Sequence, residues 1–365
     1  MPISVAASTP YRHLPTVLLA SVASLATWSW TLHHRAAQAE DLKRSPVLLP
    51  EDSRRRGQRE VRRLSWSFVE EQISSQESAP ELAVAVSQDA SDLARALDLE
   101  VTTVSTWLTQ GIGIVARHGS RIAGLAHLVD GGGHAEVADL VFLTPDDVDV
   151  ITALISGSEQ IATELESRTL GISCLPTSPG PAYHRDGDWV RVLPTRIVVP
   201  TADDMRAFGA VLAAELDAGD IVLASGDLGA GKTTLAQGIG MGLGIEGPVI
   251  SPTFVLARRH AGAKGRPGLV HVDAYRLGSA AELIDLDLDE TMDQAVTLIE
   301  WGAGIAEDLG GSHLDVDIRR SGDPDGKTRV VYLEGFGPRW QDVDLSPLSE
   351  LPLNTISPDQ TGDNN

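Results

Sequence analysis

The run Gly226-Asp227-Leu228-Gly229-Ala230-Gly231-Lys232-Thr233 satisfies the pattern G-x-x-x-x-G-K-[ST] in full. Its chemistry is phosphate binding. The glycines permit a tight loop whose backbone N–H groups converge on phosphate oxygens. A helix starting at Thr233 adds the positive end of its dipole. Lys232 reaches the β- and γ-phosphates, and Thr233 offers a hydroxyl to magnesium. A magnesium-bound triphosphate also needs a carboxylate, and two are candidates. Asp273 follows Leu269-Val270-His271-Val272, and Glu300 follows Val296-Thr297-Leu298-Ile299. Each ends an apolar, strand-like run, and ligands of α/β sheets gather at the carboxyl ends of strands. Thr253, in Ser251-Pro252-Thr253-Phe254, is placed to sense the γ-phosphate as a switch threonine does. His271 alternates with apolar neighbours and reads as a packed, hydrogen-bonded residue. Trp301 reads equally as core or as an anchor for a partner. No Asn-Lys-x-Asp guanine signal follows the loop, which favours ATP over GTP.

The elements around these residues alternate between strand and helix. Ile221–Ser225 is a short buried-type strand ahead of the glycine-rich loop, and Thr233–Leu243 is a helix behind it. Thr201 is an expected N-cap, with a helix running to about Asp217. Strands are expected over Val249–His260, Leu269–Val272, Ala295–Ile299, His313–Arg319 and Arg329–Leu333, with helices over Ala280–Asp285 and Ile305–Leu309. This alternation predicts an α/β domain over 195–340, a P-loop-type sheet with flanking helices. Residues 64–192 read as a separate, smaller α+β domain. It has a hairpin over Gly113–Arg117 and Arg121–Leu128, a strand over Glu136–Leu143 and a helix over Asp146–Leu165. Residues 341–365 are rich in Pro, Ser and Asp and read as a disordered tail.

The 365 residues carry a net charge of -22. Residues 1–63 hold ten Lys/Arg against five Asp/Glu, leaving about -27 on the remainder. A body that acidic repels phosphate backbones, so nucleic acid must be gripped by a partner. The single cysteine, Cys174, excludes an intramolecular disulfide or a thiolate metal cluster; it is expected to be a buried small hydrophobe in a reducing cytosol. Residues 1–63 read as leader and linker. The apolar run Leu14–Leu32, followed by Ala37-Gln38-Ala39, suits a cleaved signal, a membrane anchor or a non-native extension from an early start codon. The body that follows is expected in the cytoplasm, where ATP is available.

Four separated motifs carry a resemblance. Residues 226–234, Gly-Asp-Leu-Gly-Ala-Gly-Lys-Thr-Thr, are followed by Ser-Pro-Thr-Phe (251–254), His-Val-Asp-Ala-Tyr-Arg-Leu (271–277) and Leu-Ile-Glu-Trp (298–301). Over about 195–340 the chain resembles the TsaE family, the P-loop ATPase component of bacterial tRNA threonylcarbamoyladenosine synthesis. The resemblance implies an ATP- and Mg2+-dependent ATPase, weak alone, that serves the TsaD and TsaB proteins. Those proteins handle the tRNA and modify adenosine 37. It implies that Gly226 to Thr234 hold the nucleotide and that Thr233, Asp273 and Glu300 surround the metal. Thr253 would be the switch, with Trp301, Tyr275 and Arg276 near the nucleotide or the partner. The chain departs from the family at Gly302-Ala303, where Pro and an acid often follow the Glu-Trp pair. It departs again at Gly326-Lys327, where Gly-Arg is common. A P-loop small-molecule kinase is an alternative, although neither Arg258-Arg259 nor Arg319-Arg320 lies in an obvious lid; a non-hydrolysing nucleotide-gated adaptor is another. The 64–192 region weakly resembles a GNAT acetyltransferase. It lacks that family's glycine-rich pyrophosphate turn, and Thr144-Pro145-Asp146-Asp147-Val148 stands there instead, so a degenerate module is expected.

Overall fold

The computed structural model describes residues 79–144, 147–175, 178–180, 182–277, 282–283, 292–321, 326–351 and 353. The leader, most of the expected 280–285 helix and residues 354–365 lie outside them. Two compact units divide the chain. The first takes the described residues up to Val129, Val137–Ser158 and Ser173–Pro179; the second takes Asp130–Glu136, Glu159–Ile172 and everything from Gly180. The division therefore differs from a split at 192–195, because 159–172 and 180–192 group with the glycine-rich loop.

The first unit holds β1 (Glu81–Ala85), α1 (Ala90–Leu97), α2 (Val101–Gln110), β2 (Ile112–His118) and β3 (Arg121–Asp130), with most of β4 (His134–Phe142) and the start of α3 (Val148–Glu164). β1–β2 and β2–β3 are antiparallel ladders, and a bulge falls at Ala116/Arg117. The expected hairpin is present, closed at Gly119-Ser120 with Gly119 at φ 59°. α1 buries Ala90, Leu93, Ala94 and Leu97, the i, i+3, i+4, i+7 stripe of an amphipathic helix. That stripe meets Val104, Val115 and Leu125. Cys174 is exposed rather than buried. Its Sγ lies 3.6 Å from the Val137 carbonyl.

The second unit adds β5 (Thr169–Ile172), β6 (His184–Asp186), β7 (Asp188–Val192), β8 (Thr195–Val199), α4 (Ala202–Leu212), β9 (Ile221–Ser225), α5 (Lys232–Gly242), β10 (Ala257–His260), β11 (Gly268–Asp273), β12 (Ala295–Glu300), β13 (His313–Arg320) and β14 (Arg329–Phe336). Its large sheet runs β10-β11-β12-β9-β13-β14-β8. The central β11, β12, β9 and β13 are parallel, and β10, β14 and β8 are antiparallel additions. The central strands are apolar without alternation because both faces are covered: all six residues of β12 are buried. α4 and α5 pack backbone against backbone. A Cβ at Gly238 would stand 2.3 Å from the Arg206 carbonyl, and one at Gly209 would stand 2.7 Å from that of Leu235. Thr201 caps α4 as expected, its Oγ1 accepting from the Asp204 amide at 3.1 Å.

Four further expectations are corrected. The strand read over Val249–His260 shrinks to β10. Pro252 lacks an amide for pairing, and its carbonyl instead accepts from Val255 and Leu256 in a turn. α4 stops at Leu212 instead of reaching Asp217, whose amide donates to the Asp220 carboxylate. The helix at 305–309 is only a 3-10 turn over Glu307–Leu309. The tail does not begin at 341: Leu345, Leu348 and Leu353 are buried in the main core beside Phe208 and Trp340. Among the described residues, no helix is long and apolar enough to cross a membrane.

Candidate functional site

β9 ends at Ser225, and the chain curls at once. Gly226 stands at φ 132° and Gly231 at φ 122°, both in the region that side chains avoid. A Cβ at Gly226 would also lie 2.2 Å from the Ile318 carbonyl. Ala230 donates its amide to the Asp227 carbonyl at 3.0 Å. Among the described residues, no acceptor takes up the amides of Gly229, Gly231, Lys232 or Thr233. α5 then starts at Lys232, so its free N–H groups and positive dipole end face the loop.

Lys232 is 5% exposed. Its Nζ donates to the Gly226 carbonyl at 2.6 Å and the Asp227 carbonyl at 3.1 Å. It also lies 3.7 Å from the centroid of the Trp301 ring. Burial pulls its ammonium below the usual 10.5, against the opposing pull of Glu300, Asp273 and Asp227. The cation is thus held by neutral carbonyls and a ring face.

Asp273 and Glu300 are register partners at the ends of parallel β11 and β12, and both are buried. Thr233 Oγ1 donates to Glu300 Oε1 at 2.8 Å. The same oxygen lies 2.8 Å from His271 Nε2; a carboxylate can only accept, so the imidazole donates from Nε2. His271 is fully buried. Thr253 Oγ1 donates to Asp273 Oδ2 at 2.6 Å and lies 2.6 Å from Ser251 Oγ. Asp273 Oδ1 accepts from the Tyr275 amide at 3.1 Å. Trp301 holds φ at 62°, and its ring tilts against Tyr275 at 5.3 Å. Arg276 sits over Phe254, which is 88% exposed.

The structure therefore gathers Gly226 to Thr233, Thr253, Asp273, Glu300, Trp301 and Tyr275 around one loop. Thr234 occupies the first turn of α5. Gly302 packs close to Ile299 and Ala306, and Ala303 is exposed. Sequence reasoning named Arg320 only within a basic pair outside any lid, and did not name Arg329. Arg329 Nε donates to the Ala230 carbonyl at 2.9 Å and its Nη2 to that of Gly229 at 3.3 Å. Arg320 Nη2 donates to the Leu228 carbonyl at 3.1 Å. Lys327, where the family's arginine was sought, gives only its carbonyl to Arg329. No local signal marks either arginine, since both reach the loop from about 90 to 100 residues away.

These donors fit a magnesium-bound polyphosphate. Unclaimed amides and a buried lysine ammonium suit phosphate oxygens. A hydroxyl and two carboxylates suit a hard cation that keeps water and phosphate among its ligands. Among the described residues, no group of three His, Cys, Asp or Glu forms a closed metal cage.

A parallel sheet with this loop between β9 and α5 defines a P-loop protein of the nucleotide-binding class. The model of the family described as threonylcarbamoyl adenosine biosynthesis protein TsaE matches residues 199–330. The tRNA threonylcarbamoyladenosine biosynthesis protein TsaE of Streptomyces coelicolor is 50% identical over 147 residues, 40% of this chain and 99% of that protein. Its counterpart in Mycobacterium bovis is 49% identical over 140 residues, 36% of this chain and 82% of that protein. The Bacillus subtilis one is 37% identical over 140 residues, 38% and 84%. The chain belongs to the TsaE family. Among solved structures, Bacillus subtilis YdiB is similar at 30% identity and TM-score 0.35, over 43% of this chain and 95% of that one. A GCN5-related N-acetyltransferase from Kribbella flavida is similar at 16% identity and TM-score 0.23, over 36% and 38%.

Proposed function

We propose that this chain binds and hydrolyses ATP with Mg2+ in tRNA threonylcarbamoyladenosine synthesis, acting with the TsaD and TsaB proteins. The single observation that carries the nucleotide reading is Lys232. It is a buried ammonium that donates to two carbonyls and faces a ring, at the mouth of a loop of unclaimed amides. The pathway reading rests on relatives that bear its name along nearly their full length.

In this reading the amides of Gly229, Gly231, Lys232 and Thr233 bind phosphate oxygens, and Lys232 turns from the carbonyls to the phosphates. Thr233 and the carboxylates Glu300 and Asp273 would hold magnesium, which supplies charge neutralisation on the phosphates. Glu300 also orients water for attack. Thr253, already on Asp273, is placed to register the γ-phosphate. tRNA contacts fall to the partners, because the chain carries a net charge of -22.

The test is phosphate release from ATP by the purified chain, with and without purified TsaD and TsaB. Strong stimulation is expected. Phosphate transferred to an added metabolite would replace this reading with a kinase. Tight ATP binding with no release under any condition would replace it with an adaptor.

A further inference from the structure

Arg320 and Arg329 are direct cross-strand partners on β13 and β14. Like charges placed opposite each other on an antiparallel pair repel, so something must hold both there. Arg320 is exposed and gives its Nη2 to the Leu228 carbonyl. Arg329 is half-buried. Nε and Nη2 go to the Ala230 and Gly229 carbonyls, and Nη1 goes to the carbonyls of Gly326, Lys327 and Thr328. All these acceptors are backbone oxygens, three of them consecutive in the glycine-rich loop.

In a trans peptide the C=O and the following N–H point to opposite sides. A carbonyl drawn toward an arginine therefore turns the next amide away from it. Leu228 on Arg320 sets the Gly229 amide, and Ala230 on Arg329 sets the Gly231 amide. The middle peptide shows the rule at work. The Gly229 carbonyl faces Arg329, and the Ala230 amide crosses the loop to Asp227.

We propose that Arg320 and Arg329 are positioning residues for nucleotide binding: from behind the loop they hold the carbonyls of 228–230 and so aim the Gly229 and Gly231 amides at the phosphates. Glycines have wide conformational freedom, and an unbraced loop would spend binding energy on ordering itself. The inference rests on the nucleotide reading of the same loop.

The experiment is calorimetric titration of MgATP into the full chain, with the nucleotide-free melting temperature and steady-state kinetics alongside. The variants are Arg320→Met, Arg329→Met and Arg329→Lys, with Lys232→Ala as reference. Each Met variant should weaken MgATP binding by about ten-fold, as expected for a lost charge-assisted hydrogen bond. KM should rise with kcat held within about two-fold, because the arginines touch neither substrate nor metal. Arg329→Lys should fall between wild type and Arg329→Met, since an ammonium keeps the charge but not the fork. Arg320 is exposed, so Arg320→Met folds even where Arg329→Met does not, and it then decides alone. Wild-type affinity in Arg320→Met and Arg329→Met, with Lys232→Ala impaired, overturns this inference and leaves the site reading intact. A wild-type chain that binds no nucleotide overturns both. A fall in melting temperature and kcat without a change in KM assigns the arginines a structural role and overturns the proposal.

Discussion

Glu300 Oε1 accepts from Thr233 and from His271 at 2.8 Å each, so one oxygen ties the loop's hydroxyl to a fully buried imidazole. That arrangement leaves the other carboxylate oxygen outside both bonds. Glu300→Gln keeps an acceptor for both donors and removes only the charge. MgATP affinity should stay within a few-fold, while the rate of phosphate release falls by at least about ten-fold. A normal rate would remove Glu300 from the mechanism. Most of the residues gathered at this loop were legible at the residue scale. The structure brings the loop, Asp273 and Glu300 together as their types and spacing led one to expect, because the pattern is the one that phosphate and magnesium binding would require. Arg320 and Arg329 were not legible, because a side chain that braces a backbone carbonyl leaves no pattern of its own.

The sheet positions the site by bringing β9, β11 and β12 to a common carboxyl edge, and α5 must start one loop, residues 226–231, past the end of β9. The contact between α4 and α5 fixes that start. Gly238→Ala sets two effects in opposition. Alanine favours an isolated helix by about 1 kcal/mol. The added Cβ, 2.3 Å from the Arg206 carbonyl, meets backbone that cannot yield cheaply. Overpacking of this kind costs about 1–3 kcal/mol, so the variant should be less stable by urea denaturation and weaker in MgATP binding. A more stable variant would show that the helices do not need this contact. Elements with unbroken apolar runs were legible, and β9 was read to the residue. The loop at 249–256 was not: its β-branched and apolar residues imitate a strand, and Pro252 and the Thr253–Asp273 hydrogen bond decide otherwise.

Across the whole molecule, two features hold the second unit together beyond the P-loop sheet. Leu345, Leu348 and Leu353 return to the core; isolated leucines among turn formers gave no periodic signal. The other is buried charge. Arg191 pairs with Glu159 at 2.6 Å and with Glu334, and Tyr183 donates to Glu159 at 2.7 Å. Burial and the neighbouring carboxylate push the Tyr183 hydroxyl well above its ordinary range. Partners 143 residues apart cannot be matched from sequence, and this is why a boundary near 192 looked natural. Arg191→Met would remove the guanidinium from the buried Glu159 and the half-buried Glu334. It should cost about 3–5 kcal/mol in chemical denaturation, and an unchanged midpoint would show the network to be dispensable. The central claim remains the grip of one loop on a metal-bound triphosphate. Titration of MgATP into the full chain and into Lys232→Ala tests it most directly. Saturable one-site binding that weakens by tens-fold or more, about 2–4 kcal/mol, is expected for the lost charged contacts. Equal affinity in the two proteins would contradict it.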